Sequence, residues 1–212
     1  PKVQWFKDLG MDEAEVKNLI LRFPSLLGLS AEDNMKPKVQ WFKAFGMNDG
    51  QVKKMIMRYP QLLGCSLDSN LKPKVQWLND LGMKESQVKK AIVLFPNLLG
   101  RSIENNLQPK VQWLKDLGMD DAQLHKAIAQ FPDLFKYSIE NNLKPTMQMM
   151  RDFGFTDRQI VQVLSGFPQL LSLSAKRLAH RGSVLAALGS LHDQSLSSVM
   201  AMTDAKFAAR FE

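Results

Sequence analysis

Proline recurs in this chain at a fixed interval, and that interval decides what the polypeptide can become. One series runs Pro1, Pro37, Pro73, Pro109 and Pro145, a second runs Pro24, Pro60, Pro96, Pro132 and Pro168, and both step by 36 residues. The same words return between them. Pro-Lys-Val-Gln-Trp begins at positions 1, 37, 73 and 109 and drifts to Pro-Thr-Met-Gln-Met at 145, and a glycine follows at Gly10, Gly46, Gly82, Gly118 and Gly154. After the second proline come Leu26-Leu27, Leu62-Leu63, Leu98-Leu99, Leu134-Phe135 and Leu170-Leu171, then Ser30, Ser66, Ser102, Ser138 and Ser174. A unit this short cannot bury its apolar face alone, so neighbours must stack, and an all-α solenoid, or superhelix, is expected.

Each unit reads as two helices and a short third turn. The first helix is expected to start near Asn34, Asn70, Asn106 and Asn142, whose side chains can accept an orphan backbone N–H, with the next proline in the first turn where its missing N–H costs little. Met35, Val39, Phe42 and Phe45 share one arc of that helix, Trp41 lies at its edge, and Lys36, Gln40 and Lys43 face away. The glycine ends it by taking up a left-handed backbone. A capping-box pattern opens the second helix in Asp12 with Glu15, Asn48 with Gln51, Asp120 with Gln123 and Thr156 with Gln159. Lys84 breaks the pattern, so the second helix of the third unit is expected to fray more. Val16, Leu19, Ile20 and Phe23 keep helical spacing until Pro24 stops it, and Pro-x-Leu-Leu suits a single 3₁₀ turn leading to the serine that caps the next stretch.

The expected organisation is one domain over 1–212, with units 1–36, 37–72, 73–108, 109–144 and 145–180 and a degenerate C-terminal cap over 181–212. In that cap Val184, Leu185 and Leu188 echo a first helix, Leu196, Val199 and Met200 echo a second, and Thr203-Asp204 replaces the Phe-Pro word. Pro1 falls partway into a first helix, which suggests that earlier units are missing from the sequence. With 45% hydrophobic residues the chain can bury a core, and no apolar run reaches the ~20 residues that cross a bilayer. Cys65 is the sole cysteine, so neither a disulfide framework nor a paired-thiolate metal site can form within the chain, and a reducing compartment fits.

These words resemble the repeat of the mitochondrial transcription termination factor (mTERF) family: Leu-x-Pro, then Phe/Leu and Gly, then Phe/Tyr-Pro-x-Leu-Leu-x-x-Ser, in five full copies and one worn copy. The resemblance implies a curved α-superhelix acting on DNA or RNA in mitochondria or chloroplasts, in transcription termination, its regulation or RNA maturation. Organellar transcription or ribosome-assembly proteins are possible further partners, no cofactor is implied, and a monomer is expected.

Charge gives a second line of argument. Lys and Arg number 28 against 21 Asp and Glu, with the excess greatest in the second unit and smaller in the third and fifth, and the isoelectric point near 9.5 suits a polyanionic partner. Lys17, Lys53, Lys54, Lys89, Lys90 and Lys126 occupy two adjacent wheel positions of the second helices, joined by Arg22 and Arg58 a turn on. Stacking would align them in a row able to meet successive phosphates, although lysines commonly do no more than solvate a helix face. A rival ridge on the first helices holds Lys36, Lys43, Lys72, Lys115 and Lys144, beside Asp8, Asp80 and Asp116. The competing function is a protein-binding scaffold, because solenoids present extended surfaces to partners.

Two other repeated residues read as structural. Lys2, Lys38, Lys74 and Lys110 lie within the apolar arc, where their stems would be buried and their amines would either reach carbonyls at a neighbouring helix end or emerge in the groove between units. Trp5, Trp41, Trp77 and Trp113 sit at the edge of that arc and suit packing better than base stacking. Nothing points to catalysis. There is no phosphate-cradling glycine loop, HExxH or Gly-x-Ser-x-Gly elbow, and His125, His180 and His192 are scattered. Carboxylate pairs such as Asp12-Glu13 and Asp120-Asp121 sit at helix starts, where the helix dipole accounts for them.

Overall fold

In the computed structural model every regular element among the described residues, 2–187 and 202–211, is helical. The first helices are α1 (Lys2–Asp8), α3 (Lys36–Ala44), α5 (Lys72–Asp80), α7 (Gln108–Asp116) and α9 (Lys144–Asp152). The second helices are α2 (Glu13–Arg22), α4 (Asp49–Arg58), α6 (Glu85–Leu94), α8 (Asp121–Gln130) and α10 (Asp157–Gly166). Each second helix runs into a 3₁₀ turn such as Pro24–Gly28 or Pro60–Gly64, and two last helices follow, α11 (Ala175–Ala187) and α12 (Asp204–Phe211). The residues group into two compact units, Pro1–Ser102 and Ile103–Glu212. Within the first, α4 packs on α6; within the second, α8 packs on α10 and α9 on α11.

The first helices begin earlier than their asparagines suggest. Ser30, Ser66 and Ser138 are the caps, each hydroxyl accepting the backbone N–H three residues on, at 3.1 to 3.2 Å. A wide turn follows in which Met35, Leu71 and Leu143 donate to the carbonyl five residues back. Pro37, Pro73 and Pro145 explain the widening, because a proline ring clashes with the carbonyl four residues ahead of it in a regular α-helix. Freed from capping, Asn34 accepts from the Lys38 amine at 2.6 Å, whereas Asn142 does take a backbone N–H, that of Ser138.

The capping boxes form at Asp12, Asn48, Asp120 and Thr156. At Lys84 half of the box remains: the Gln87 side chain accepts the Lys84 N–H, and the Gln87 N–H turns to the Lys84 carbonyl. The helix behind it still spans ten residues, as its counterparts do. Gly46 closes α3 at φ +82°, a left-handed backbone that a side chain would strain.

The core is one apolar ladder per compact unit: Leu19, Val52, Met55, Ile56, Leu62 and Leu98 in the first, Leu124, Ile128, Phe135, Ile160 and Leu164 in the second. Lys38 is only 3% exposed, and its amine donates to the Leu63 carbonyl at 2.7 Å, tying a first helix to the 3₁₀ turn of its own repeat. Lys2 makes the same bond to Leu27. The expected structural role of these lysines is therefore seen directly, and burial holds the Lys38 amine below its ordinary pKa. Not every repeat is covered equally: Leu27 is 53% exposed where Leu63 is 1%, and Leu21 is 70% exposed.

At the far end, α11 carries Val184 and Leu185, and α12 starts at the Thr203-Asp204 pair, with Thr203 accepting from Lys206 and Phe207. Arg181, fully buried, donates to the Met202 carbonyl and to Asp204, and lies 5.0 Å from the Phe207 ring centre. The counterparts expected at Leu188, Leu196, Val199 and Met200 lie outside the described residues, as does His192.

Candidate nucleic-acid interface

The basic residues of the second helices divide into two kinds. Arg22 sends its guanidinium to the Met57 and Arg58 carbonyls at the end of α4, at 2.5 and 3.3 Å. Arg58 does the same at the end of α6, reaching Leu94 at 2.6 Å and Val93 at 3.2 Å. These are the orphan carbonyls of a helix C-terminus, where a cation is favoured by both hydrogen bonding and the dipole. Each arginine therefore clips one repeat to the next.

Lys53 and Lys89 also turn inward. The Lys53 amine bonds the Gly10 carbonyl at 2.6 Å and Glu15 at 2.7 Å, crossing from the second repeat to the first. That contact holds the Glu15 carboxyl below its ordinary pKa. Lys89 pairs with Glu85 at 2.5 Å, sits 5.5 Å from the Phe45 ring centre, and packs against Gly46. Two lysines named as phosphate ligands thus spend their charge at repeat junctions.

Lys17, Lys54, Lys90 and Lys126 differ. All four are exposed, and among the described residues none has a hydrogen bond or ion pair from its side chain. Lys54 and Lys90 hold one repeat position on α4 and α6 of the first compact unit, and Lys126 holds the same position on α8 of the second; Lys17 stands one place earlier in its repeat, in register with Lys53 and Lys89.

The first-helix ridge is neutralised lysine by lysine. Lys36 pairs with Glu32 at 2.5 Å, Lys43 with Asp49 at 2.5 Å, Lys72 with Asp68 at 2.6 Å, Lys115 with Asp121 at 2.8 Å and Lys144 with Glu140 at 2.6 Å. The Lys115 contact draws the Asp121 carboxyl below its usual pKa. Each pair is exposed and contributes little to stability, but each cancels the charge a phosphate would meet. The tryptophans beside this ridge are half-buried. Trp41 stacks on Phe45 with centroids 6.1 Å apart, and Trp5 meets Phe6 edge-on at 4.8 Å, which fits packing.

Sequence reasoning passed over Arg158, exposed on the first turn of α10 and without a side-chain hydrogen bond or ion pair among the described residues. A signal was present: the earlier repeats carry Ala14, Gly50, Ser86 and Ala122 at that place. Between α8 and α10 a groove of about 660 Å³ opens beside it. No group of His, Cys, Asp and Glu among the described residues could hold a metal ion, and no helix there is long and apolar enough to cross a membrane.

Tandem helical repeats, clipped at their junctions by lysine and arginine and bearing free lysines on the second helices, define a helical-repeat protein with a basic face. The chain belongs to the mTERF family, whose family model matches residues 1–115. A comparison with curated proteins gave no match.

Proposed function

We propose that this protein is a nucleic-acid-binding regulator of organellar gene expression, acting on transcription or RNA maturation in a mitochondrion or chloroplast by occupancy rather than by chemistry. Its family membership supports the class of ligand, and the charge distribution supports the face. The observation that carries the reading is the contrast between two lysine sets: the first-helix ridge is matched with carboxylates, while Lys17, Lys54, Lys90 and Lys126 keep their charge available. A polyanion gains most where cations are not already neutralised, because binding is driven by release of its own counterions. Lys53, Lys89, Arg22 and Arg58 serve the site indirectly, by fixing the repeats that present the free lysines.

Mobility-shift titrations on duplex DNA, duplex RNA and single strands test this. The Lys17→Glu, Lys54→Glu, Lys90→Glu, Lys126→Glu variant is expected to fold and to lose affinity, while Lys36→Glu, Lys72→Glu, Lys144→Glu retains it. The reverse order would move the interface to the first helices. A protein-binding scaffold is the second reading, favoured by the exposed apolar side chains of Val3, Leu21 and Leu27; it predicts that neither variant binds differently from the parent.

A further inference from the structure

The first repeat turns outward the same atoms that the second and third repeats turn toward the repeat before them. Three contacts make each of those two inner junctions. The Lys53 amine bonds the Gly10 carbonyl of the preceding repeat, and Lys89 packs on Gly46 at the equivalent place. Arg22 and Arg58, each closing the second helix of one repeat, donate to the last carbonyls of the next second helix, at Met57 and Arg58 and at Val93 and Leu94. The aromatic ring that follows each arginine lies on a glycine of the next 3₁₀ turn. A Cβ on Gly64 would stand 3.3 Å from the Phe23 ring, and one on Gly100 would collide with Tyr59.

In the first repeat the receiving set is complete and exposed. Lys17 is in register with Lys53 and Lys89 and has no hydrogen bond or ion pair from its side chain among the described residues. The Leu21 and Arg22 carbonyls, counterparts of those at Met57 and Arg58, accept no side-chain donor there. Gly28, the counterpart of Gly64 and Gly100, has nothing within 4 Å of the place a Cβ would take. The surrounding apolar side chains follow suit. Val3 is 45% exposed where Val39 and Val75 are 6% and 4%, Leu27 is exposed where Leu63 and Leu99 are buried, and a groove of about 330 Å³ opens between Val3, Lys17, Ile20 and Leu21. Apolar side chains gathered in one exposed place mark a contact surface. Lys54, by contrast, stays exposed with a repeat on either side of it.

We infer that this outer face docks a helical partner that reads Arg, then Phe or Tyr, then Pro at the end of one helix and has a glycine-closed helix ahead of it. The guanidinium would take the Leu21 and Arg22 carbonyls, where the end of a helix favours a cation. The ring would lie on Gly28, and the glycine carbonyl would accept from Lys17. A second copy of this chain does not supply that partner. Its two Arg-aromatic-Pro words, at 22–24 and 58–60, are engaged at its own inner junctions, and the other second helices end in Leu94, Gln130 and Gly166.

The probe is an added copy of residues 1–36, which carries Gly10, Arg22 and Phe23, joined directly ahead of Pro1 so that the 36-residue register is kept. Joining makes docking intramolecular, so weak affinity cannot hide it. Thermal melts and amide hydrogen exchange over residues 13–28 of the original chain are the readouts. The added copy should raise the melting temperature by several degrees and slow exchange there severalfold. Arg22→Leu with Phe23→Ala, made in the added copy alone, should cancel both gains. Gly28→Leu in the original chain should cancel them too, while leaving the melting temperature of the unextended protein unchanged. An added copy whose amides exchange like an unfolded chain, or gains that survive these substitutions, overturns the inference. A parent that dimerises with rising concentration in sedimentation, and no longer does so as Gly28→Leu, gives the face to a second copy and overturns the choice of partner. Neither readout involves nucleic acid, so failure here leaves the functional reading standing.

Discussion

A buried lysine shows most clearly how a single residue holds this architecture. The Lys38 amine, almost fully buried, satisfies both the Leu63 carbonyl and the Asn34 side chain. Lys38→Met keeps the stem and strands both acceptors, so a loss of about 1–3 kcal/mol is expected in urea denaturation, with oligonucleotide affinity unchanged. The Glu15–Lys53 pair makes a pH-dependent prediction. Because the folded carboxyl titrates below its unfolded value near 4.5, the stabilisation it lends is present above that value and is lost as pH falls through the lowered one. The stability gap between the parent and Glu15→Gln, followed by thermal melts, should therefore close on acidification; a gap constant down to strongly acid pH would contradict the pairing. This junction was not legible in the sequence. A helical wheel places Lys53 beside Lys54 as two similar surface cations, and only the approach of Gly10 from the neighbouring repeat separates an inward residue from an outward one.

At the scale of the element, the sequence was far more informative, because its punctuation is local chemistry. Proline, glycine and the capping pairs act within a few residues of themselves, so the ends of the second helices and the 3₁₀ turns could be read directly. The start of the first helix could not be read as well. A wide turn and an α-turn bury the same side chains, and the choice between them depends on where a proline ring would strike a carbonyl. The capping role falls to Ser30 and Ser66, which the sequence already marks as caps of the stretch after the 3₁₀ turn, and not to Asn34 and Asn70. Lys84 offers a further check. Its side chain has no acceptor for the Gln87 N–H, so Lys84→Asp should complete the box and stabilise the protein by about 0.5–1 kcal/mol. An unchanged denaturation midpoint would mean that the Lys84 carbonyl already serves as well.

Across the whole molecule, repetition multiplies small placements into surfaces. Glu32, Asp68 and Glu140 ahead of the first helices, and Asp49 and Asp121 at the start of second helices, silence a ridge of five lysines; Lys54, Lys90 and Lys126, recurring at one position of the second helices, and Lys17 one place earlier, keep their charge. Composition shows only the sum of the two, a net charge of +7, and cannot say which face carries it. The salt dependence of affinity examines this most directly. For duplex DNA the log–log slope steepens by about 0.9 for each phosphate contacted, so replacing Lys54, Lys90 and Lys126 by Gln should make it shallower by up to about 2.7. Replacing Lys36, Lys72 and Lys144 by Gln should leave the slope unchanged. Equal slopes in the parent and the second-helix variant would contradict the assignment of the phosphate-binding face.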